Sequence, residues 1–420
     1  MKRKIDNLYN FDWIDSLNKV EGFEFKEALN SYIFFKKDSL SLATKLVDKN
    51  PKLIAPKILL MSLILLSRDR KKIVIAKNIL NSIKIDSINE IQEKYLSVLK
   101  KWIEGDLYSV VEKIKNIIIE NPKDIFAIRL FHFNSIFIGL DKKFFKTHLE
   151  LIKKWSDKDD FYNLILGMTS FAYEENNDYS KAYDLAKLSL DISKEDLWSW
   201  HALLHVHDSK VDCTLKLQNE YNQINWNFYG PMKRHLWWHQ TLFFYYQKNY
   251  TDCLKVYDKY IMSEDYFYLD FCNASSLLLR LNSKEIDVRT RMDKLRPIAN
   301  YFKSQNLLPF IDFHLIFFFN YYNDQSYFKE FKSLIKSNYK DSFFNNVFET
   351  CLEPLIENIL SNKLINLDLI KSDFLYLGGS FAQRELIFLN LYSNNKDKNF
   401  KDKLFTQIKN KKNLTSINYV

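Results

Sequence analysis

Glycine and proline occur only seven times each in 420 residues, too few for any fold built on frequent tight turns. Sandwiches, barrels and doubly wound sheets place these residues at turn after turn, whereas helices joined by short polar connections need far fewer. The chain is 47% hydrophobic and longer than one core usually organises. The fold expected is all-α: a single continuous array of antiparallel helix hairpins, a right-handed solenoid spanning residues 1–420. Its 34 Phe and 25 Tyr suit such an array, where aromatic side chains act as knobs between layers.

Apolar residues at helical spacing place helices over Phe23–Lys49 and Pro56–Leu66, with Asn50-Pro51 as the break between them. The sharpest pair is Ser87–Glu104 and Leu107–Glu120. Gly105-Asp106 turns the chain there, and Asn121-Pro122 closes the hairpin in the order of a tetratricopeptide repeat. Further helices are expected over Asp124–Gly139, Asp160–Glu175, Tyr179–Leu190, Tyr266–Asn282 and Lys284–Lys303. The series continues with Leu308–Tyr322, Ser326–Ser337, Asp341–Ile359, Ser380–Leu391 and Asn399–Lys411. Residues 1–85 form the N-terminal helices, 86–395 the repeat core and 396–420 a basic tail. Gly167 falls mid-helix, where it costs about 1 kcal/mol relative to Ala, so a neighbouring helix or ligand is expected to approach it closely.

A net charge of +9 is modest for this length, and Lys alternates with Asp and Glu until the tail. Such dispersion describes solvated helix faces rather than a groove of Arg clusters and aromatics, which argues against nucleic acid as a partner. The four cysteines, Cys213, Cys253, Cys272 and Cys351, show no C-x-x-C spacing and read as reduced, packed thiols. Met1–Asn10 lacks an apolar signal region, and the most apolar run, Ile58–Leu66, is about half a membrane span. A cytoplasmic protein with no membrane partner is expected, and a homodimer is an allowed assembly.

Chemistry concentrates between Asp196 and Met262, which hold five of the eight histidines and five of the eight tryptophans. His201 and His205 are four apart, as are His235 and His239, so each pair lies on one helix face. Neutral imidazoles at this spacing chelate zinc or iron well, and Glu174, Glu175, Asp312 or His314 would complete such a site. No Glu follows His201 or His235, so the H-E-x-x-H protease arrangement is absent. The alternatives are a polar pocket for a small molecule, or histidines hydrogen-bonded among Trp198, Trp200, Trp237 and Trp238 with no ligand. Asp312 and His314 are two apart and point away from each other on a helix, so they can share a pocket but not a hydrogen bond. His132, between Phe131 and Phe133, reads as core or pocket wall; His207 and His148 read as surface residues. Gly378-Gly379-Ser380 opens a helix whose N-terminus, with Arg384 near, suits an anion; a plain turn with Ser380 as N-cap is the alternative.

Several of these motifs occur in a known family. Trp198 followed by His201-Ala202-Leu203-Leu204-His205-Val206, then His235-Leu236-Trp237-Trp238-His239, resembles a Trp…His-Ala-Val-Ala-His-Val and His-x-Trp-Trp-His pattern. Gly167-Met168 through Glu174-Glu175, Asn273 through Leu281, Asp312-Phe313-His314 and Gly378-Gly379-Ser380-Phe381-Ala382-Gln383-Arg384-Glu385 match further motifs of the same family. Over about residues 86–395 the chain resembles the tetratricopeptide repeat protein 38 family, as a divergent bacterial-type member. It departs from the pattern at Asn273 and Glu385, where the family has Asp, and at Phe381, where it has His. The resemblance implies the helical-repeat fold. With the spacing argument it nominates His201, His205, His235, Trp238, His239, His314, Gln383, Arg384, Glu174 and Asp312 as ligand-binding residues. The function expected is a binding or scaffold module with a His/Trp-rich internal pocket for a small ligand or a peptide or protein partner. The alternative is an enzyme acting on a small metabolite through a His/carboxylate site, with Zn or Fe. An open groove would favour the first; histidines in a closed interior beside carboxylates would favour the second.

Overall fold

A computed structural model of the chain describes residues 19–84, 88–210, 224–230, 232–361, 365 and 374–412. Among them the protein is helical throughout, and its only β pairing is an isolated bridge between Lys36 and Tyr229. The first helices are α1 (Lys19–Ile33), α2 (Ser39–Lys49), α3 (Ile54–Leu66), α4 (Arg70–Asn81), α5 (Glu90–Ile103) and α6 (Leu107–Glu120). Next come α7 (Ile125–Ser135), α8 (Lys142–Ile152), α9 (Tyr162–Glu175), α10 (Tyr179–Ile192) and α11 (Leu197–Lys210). They are followed by α12 (Met232–Tyr246), α13 (Tyr250–Val256), α14 (Tyr268–Asn282), α15 (Arg289–Phe302), α16 (Pro309–Tyr321) and α17 (Gln325–Tyr339). The last are α18 (Phe344–Val347), which runs through a π turn (Phe348–Leu352) into α19 (Glu353–Ser361), then α20 (Phe381–Asn394) and α21 (Lys398–Lys412).

Most hairpin turns manage with little glycine, Gly105 and Gly139 being exceptions with positive φ. Asp106, Asp124, Asp141, Asp178, Asn249 and Asp324 each accept a first-turn N–H at a helix start. Asn177, Lys248 and Asn323 occupy the left-handed region that closes the preceding helices. Outer helices are amphipathic: in α6, Leu107, Val110, Val111, Ile114, Ile117 and Ile118 are buried and the opposite face is wet.

Helices α9, α11, α12, α14 and α16 pack one against the next as an inner layer. Two of them are buried all round, α14 from Tyr268 to Leu281 and α16 from Pro309 to Phe319. A helix buried on every side needs cover on both faces. The outer helices supply one cover, and α20 supplies the other by packing on α14 from within. Gly378 and Gly379 let the chain enter there: both have positive φ, and a Cβ would meet the Phe137 backbone at 2.9 Å and the Phe310 ring at 2.5 Å, respectively. Segments far apart in the sequence also meet. The Arg70 amide donates to Gln305 Oε1 at 2.9 Å, and Tyr301 donates to Asp69 at 2.6 Å.

The inner face of α14 is therefore covered rather than open. Two further details differ from the sequence-based expectation. Phe23–Lys49 is two helices, because Phe35 turns left-handed and the strand-like Lys36 pairs with Tyr229. Helices α4 and α8 are additional. Ser87, Cys213 and residues 413–420 lie outside the described residues; within them Cys253, Cys272 and Cys351 are buried. No helix among the described residues is long and apolar enough to cross a membrane.

Candidate functional site

Gly167 brings α11 against α9. A Cβ on it would lie 2.4 Å from Ser199 Oγ and 2.6 Å from Asp196 Oδ2, so the close approach expected at this glycine is made by a neighbouring helix. Asp196 fixes that helix start by accepting from Trp198 N at 3.0 Å and from Ser199 and Ser189 hydroxyls at 2.6 and 2.9 Å. This register sets His201 and His205 facing α12, whose own turn-spaced His235 and His239 face back.

The four rings converge. His201 Nε2 lies 2.9 Å from His235 Nε2 and 3.1 Å from His205 Nε2, and His239 Nε2 lies 3.3 Å from His235 Nε2. One ligand nitrogen from each ring falls within 4.8 Å of all the others, and all four residues are buried. Tetrahedral zinc with Zn–N of about 2.0–2.1 Å would require N···N edges of about 3.3–3.4 Å, near the three pair distances of 2.9, 3.1 and 3.3 Å.

Outer partners orient two of the rings. His205 Nδ1 faces Glu174 Oε2 at 3.3 Å, and His235 Nδ1 faces Asn273 Oδ1 at 3.2 Å. Asn273 Oδ1 accepts an N–H, which puts the His235 proton on Nδ1 and leaves its Nε2 lone pair aimed at the centre, whereas Glu174 approaches His205 as a charge neighbour. Trp238 stacks on His235 with centroids 5.6 Å apart, and Phe171 stacks on His201 at 5.1 Å. Burial, then the neighbouring imidazoles His205, His235 and His132, hold His201 well below the usual histidine pKa. His235 is pushed down to about 3, chiefly by burial, against a raising contribution from its Asn273 hydrogen bond. These two imidazoles are neutral at physiological pH, the form that binds metals.

The remaining candidates are distributed around this centre. Glu175, next to Glu174, takes the Phe381 amide at 3.1 Å and sits 3.7 Å from Arg384 Nη2. The N-terminus of α20 thus receives an anion from the chain itself, and Phe381 joins through its backbone. Arg384 also donates to the Gly379 carbonyl, and Gln383 accepts the Ser380 amide at 3.0 Å. Asp312 and His314 are not part of the histidine group. Asp312 accepts from Asn306 at 3.1 Å and Tyr339 at 2.5 Å, and burial lifts it to about 7. His314 donates to the Phe310 carbonyl at 2.7 Å and is lowered to about 3 by burial.

His148 is buried, contrary to the expectation of a surface residue: its Nε2 is 2.8 Å from His132 Nδ1, while its Nδ1 donates to the Phe144 carbonyl at 3.0 Å. His207 is half-buried against Tyr183. Sequence reasoning does not assign Asn273 its role as the partner of His235, since that contact spans 38 residues and has no local signature. No protein-family model matches the chain, and no solved structure gives a significant match to it.

Proposed function

We propose that the protein is a helical-repeat metal-binding module that holds one zinc or iron(II) ion in its closed interior. The observation that carries this reading is the convergence of four imidazole nitrogens within 4.8 Å. His201 Nε2 lies between the Nε2 atoms of His205 and His235 at 3.1 and 2.9 Å, and a cation among these nitrogens would be held by their lone pairs. The all-imidazole set suits zinc, iron, copper or nickel and is a poor match for magnesium or calcium, which take oxygen ligands. Glu174 and Asn273 supply the outer contacts that metal-bound histidines commonly make. The motifs that resemble the tetratricopeptide repeat protein 38 family contain all four histidines, and the covered inner face of α14 favours an internal ligand over a peptide laid in a groove.

The test is the metal content of protein produced without a histidine tag, compared with the His239→Ala and His201→Ala variants. About one equivalent in the parent and below about 0.1 in the variants is expected for a tight site. Metal below about 0.1 in the parent after reconstitution with zinc and with iron(II) would sink the proposal.

A further inference from the structure

A cavity of about 30 Å³ lies beside the His201–His235 edge of the cluster, walled by Ile136, Phe137, Phe171 and Leu269. By this measure a water needs about 10–15 Å³, so the space suits a molecule of two or three heavy atoms. Two polar groups in its wall have hydrogens to give. Trp198 Nε1 is buried with no hydrogen-bond partner among the described residues. The Ser380 hydroxyl, on a residue 2% exposed, donates to no group among them. Gln383, the other polar wall residue besides the two histidines, is already engaged by the Ser380 amide.

Charge points the same way. A divalent ion on four neutral imidazoles has one carboxylate, Glu174, in its outer contacts, because Glu175 is matched by Arg384. One further negative charge would neutralise the centre, and buried charge is stable only when compensated. From these observations, and resting on the metal reading above, we infer that the ion takes a small exogenous anion of two or three heavy atoms on its His201–His235 side. One atom of the anion coordinates the metal, and the anion accepts hydrogen bonds from Ser380 and Trp198. The site is thus not a sealed structural one, because a fifth position remains for exchange.

The experiment loads the full-length protein with cobalt(II), follows its visible d–d bands and titrates sodium azide. The expected result is cobalt bands that shift saturably with azide. Ser380→Ala and Trp198→Phe, each removing one donor, should leave the azide-free bands in place and weaken azide binding about three- to tenfold, the range for losing one hydrogen bond. Bands that form but ignore azide would overturn this inference while leaving the metal reading intact, as would equal azide affinity in the parent and both variants. If cobalt produces no bands, the metal reading fails and this inference with it.

Discussion

Glu174 Oε2 and His205 Nδ1 stand 3.3 Å apart with both side chains almost wholly excluded from solvent. A proton held on Nδ1 by this carboxylate would leave Nε2 to coordinate the ion proposed above. Glu174→Gln is therefore expected to weaken metal binding about 10- to 100-fold, read by competition with a chromogenic chelator. Asn273→Asp, which places a carboxylate behind His235, should tighten it. Unchanged affinity in both variants would count against the orienting role.

Gly167 predicts a stability effect. A methyl group there must displace Ser199 and Asp196, which anchor the start of α11. Overpacking of this kind costs about 1–3 kcal/mol, so Gly167→Ala should lower the urea midpoint despite alanine's better helix propensity. A midpoint equal to or above the parent's would show that α11 can step aside.

Arg280 and Glu385 form a fully buried pair at 3.7 Å, joined by Tyr246 donating to Glu385 at 2.7 Å and by Arg280 donating to the Ala382 carbonyl at 2.7 Å. Removing one member strands the other charge, which costs about 3–5 kcal/mol. Glu385→Ala is expected to lose that much in denaturant unfolding and to speed backbone hydrogen exchange in α20 first. Exchange that rises evenly over all helices would argue against α20 as a separately anchored element.

The protein should be acid-labile. Burial lowers His148 to about 4 and His314 to about 3, and burial with the nearby His148 and Arg129 charges lowers His132 well below the usual value. Unfolded histidine titrates near about 6.5, so the unfolded chain takes up protons first as pH falls. The stability these groups contribute is present above about 6.5 and is lost between there and their folded values, at about 1.4 kcal/mol per pH unit for each ring while it lasts. Calorimetry from pH 7 down to pH 5 should show Tm falling throughout; a flat profile would refute the assignment.

Much of the fold is readable because its signals are local. Scarce glycine, apolar spacing and the Asp and Asn caps act within a few residues, and Leu107–Glu120 is found with the boundaries expected. The turn-spaced histidine pairs are equally visible, since a one-turn separation decides which face a ring takes. His148 reads as exposed from its polar sequence neighbours, although Phe144 and Leu151, its neighbours at helical spacing, mark the buried face of α8. Asp312 and His314 mislead for another reason. Their common motif suggests a common pocket, but adjacent helix faces deliver Asp312 to Asn306 and Tyr339 and His314 back to its own helix. The placement of α20 is not legible, because it depends on contacts such as Phe381 with Glu175, 206 residues away.

That placement orders events in time. Helix α20 leaves the ribosome after the inner layer on which it packs, so until then α14 and the His201–His235 side lack that cover. The ion proposed above would meet its histidines at that stage without prying apart finished packing. Once residues 374–394 arrive and dock, Ser380 and Gln383 close over the His201–His235 side, and later entry has to pass through the finished packing.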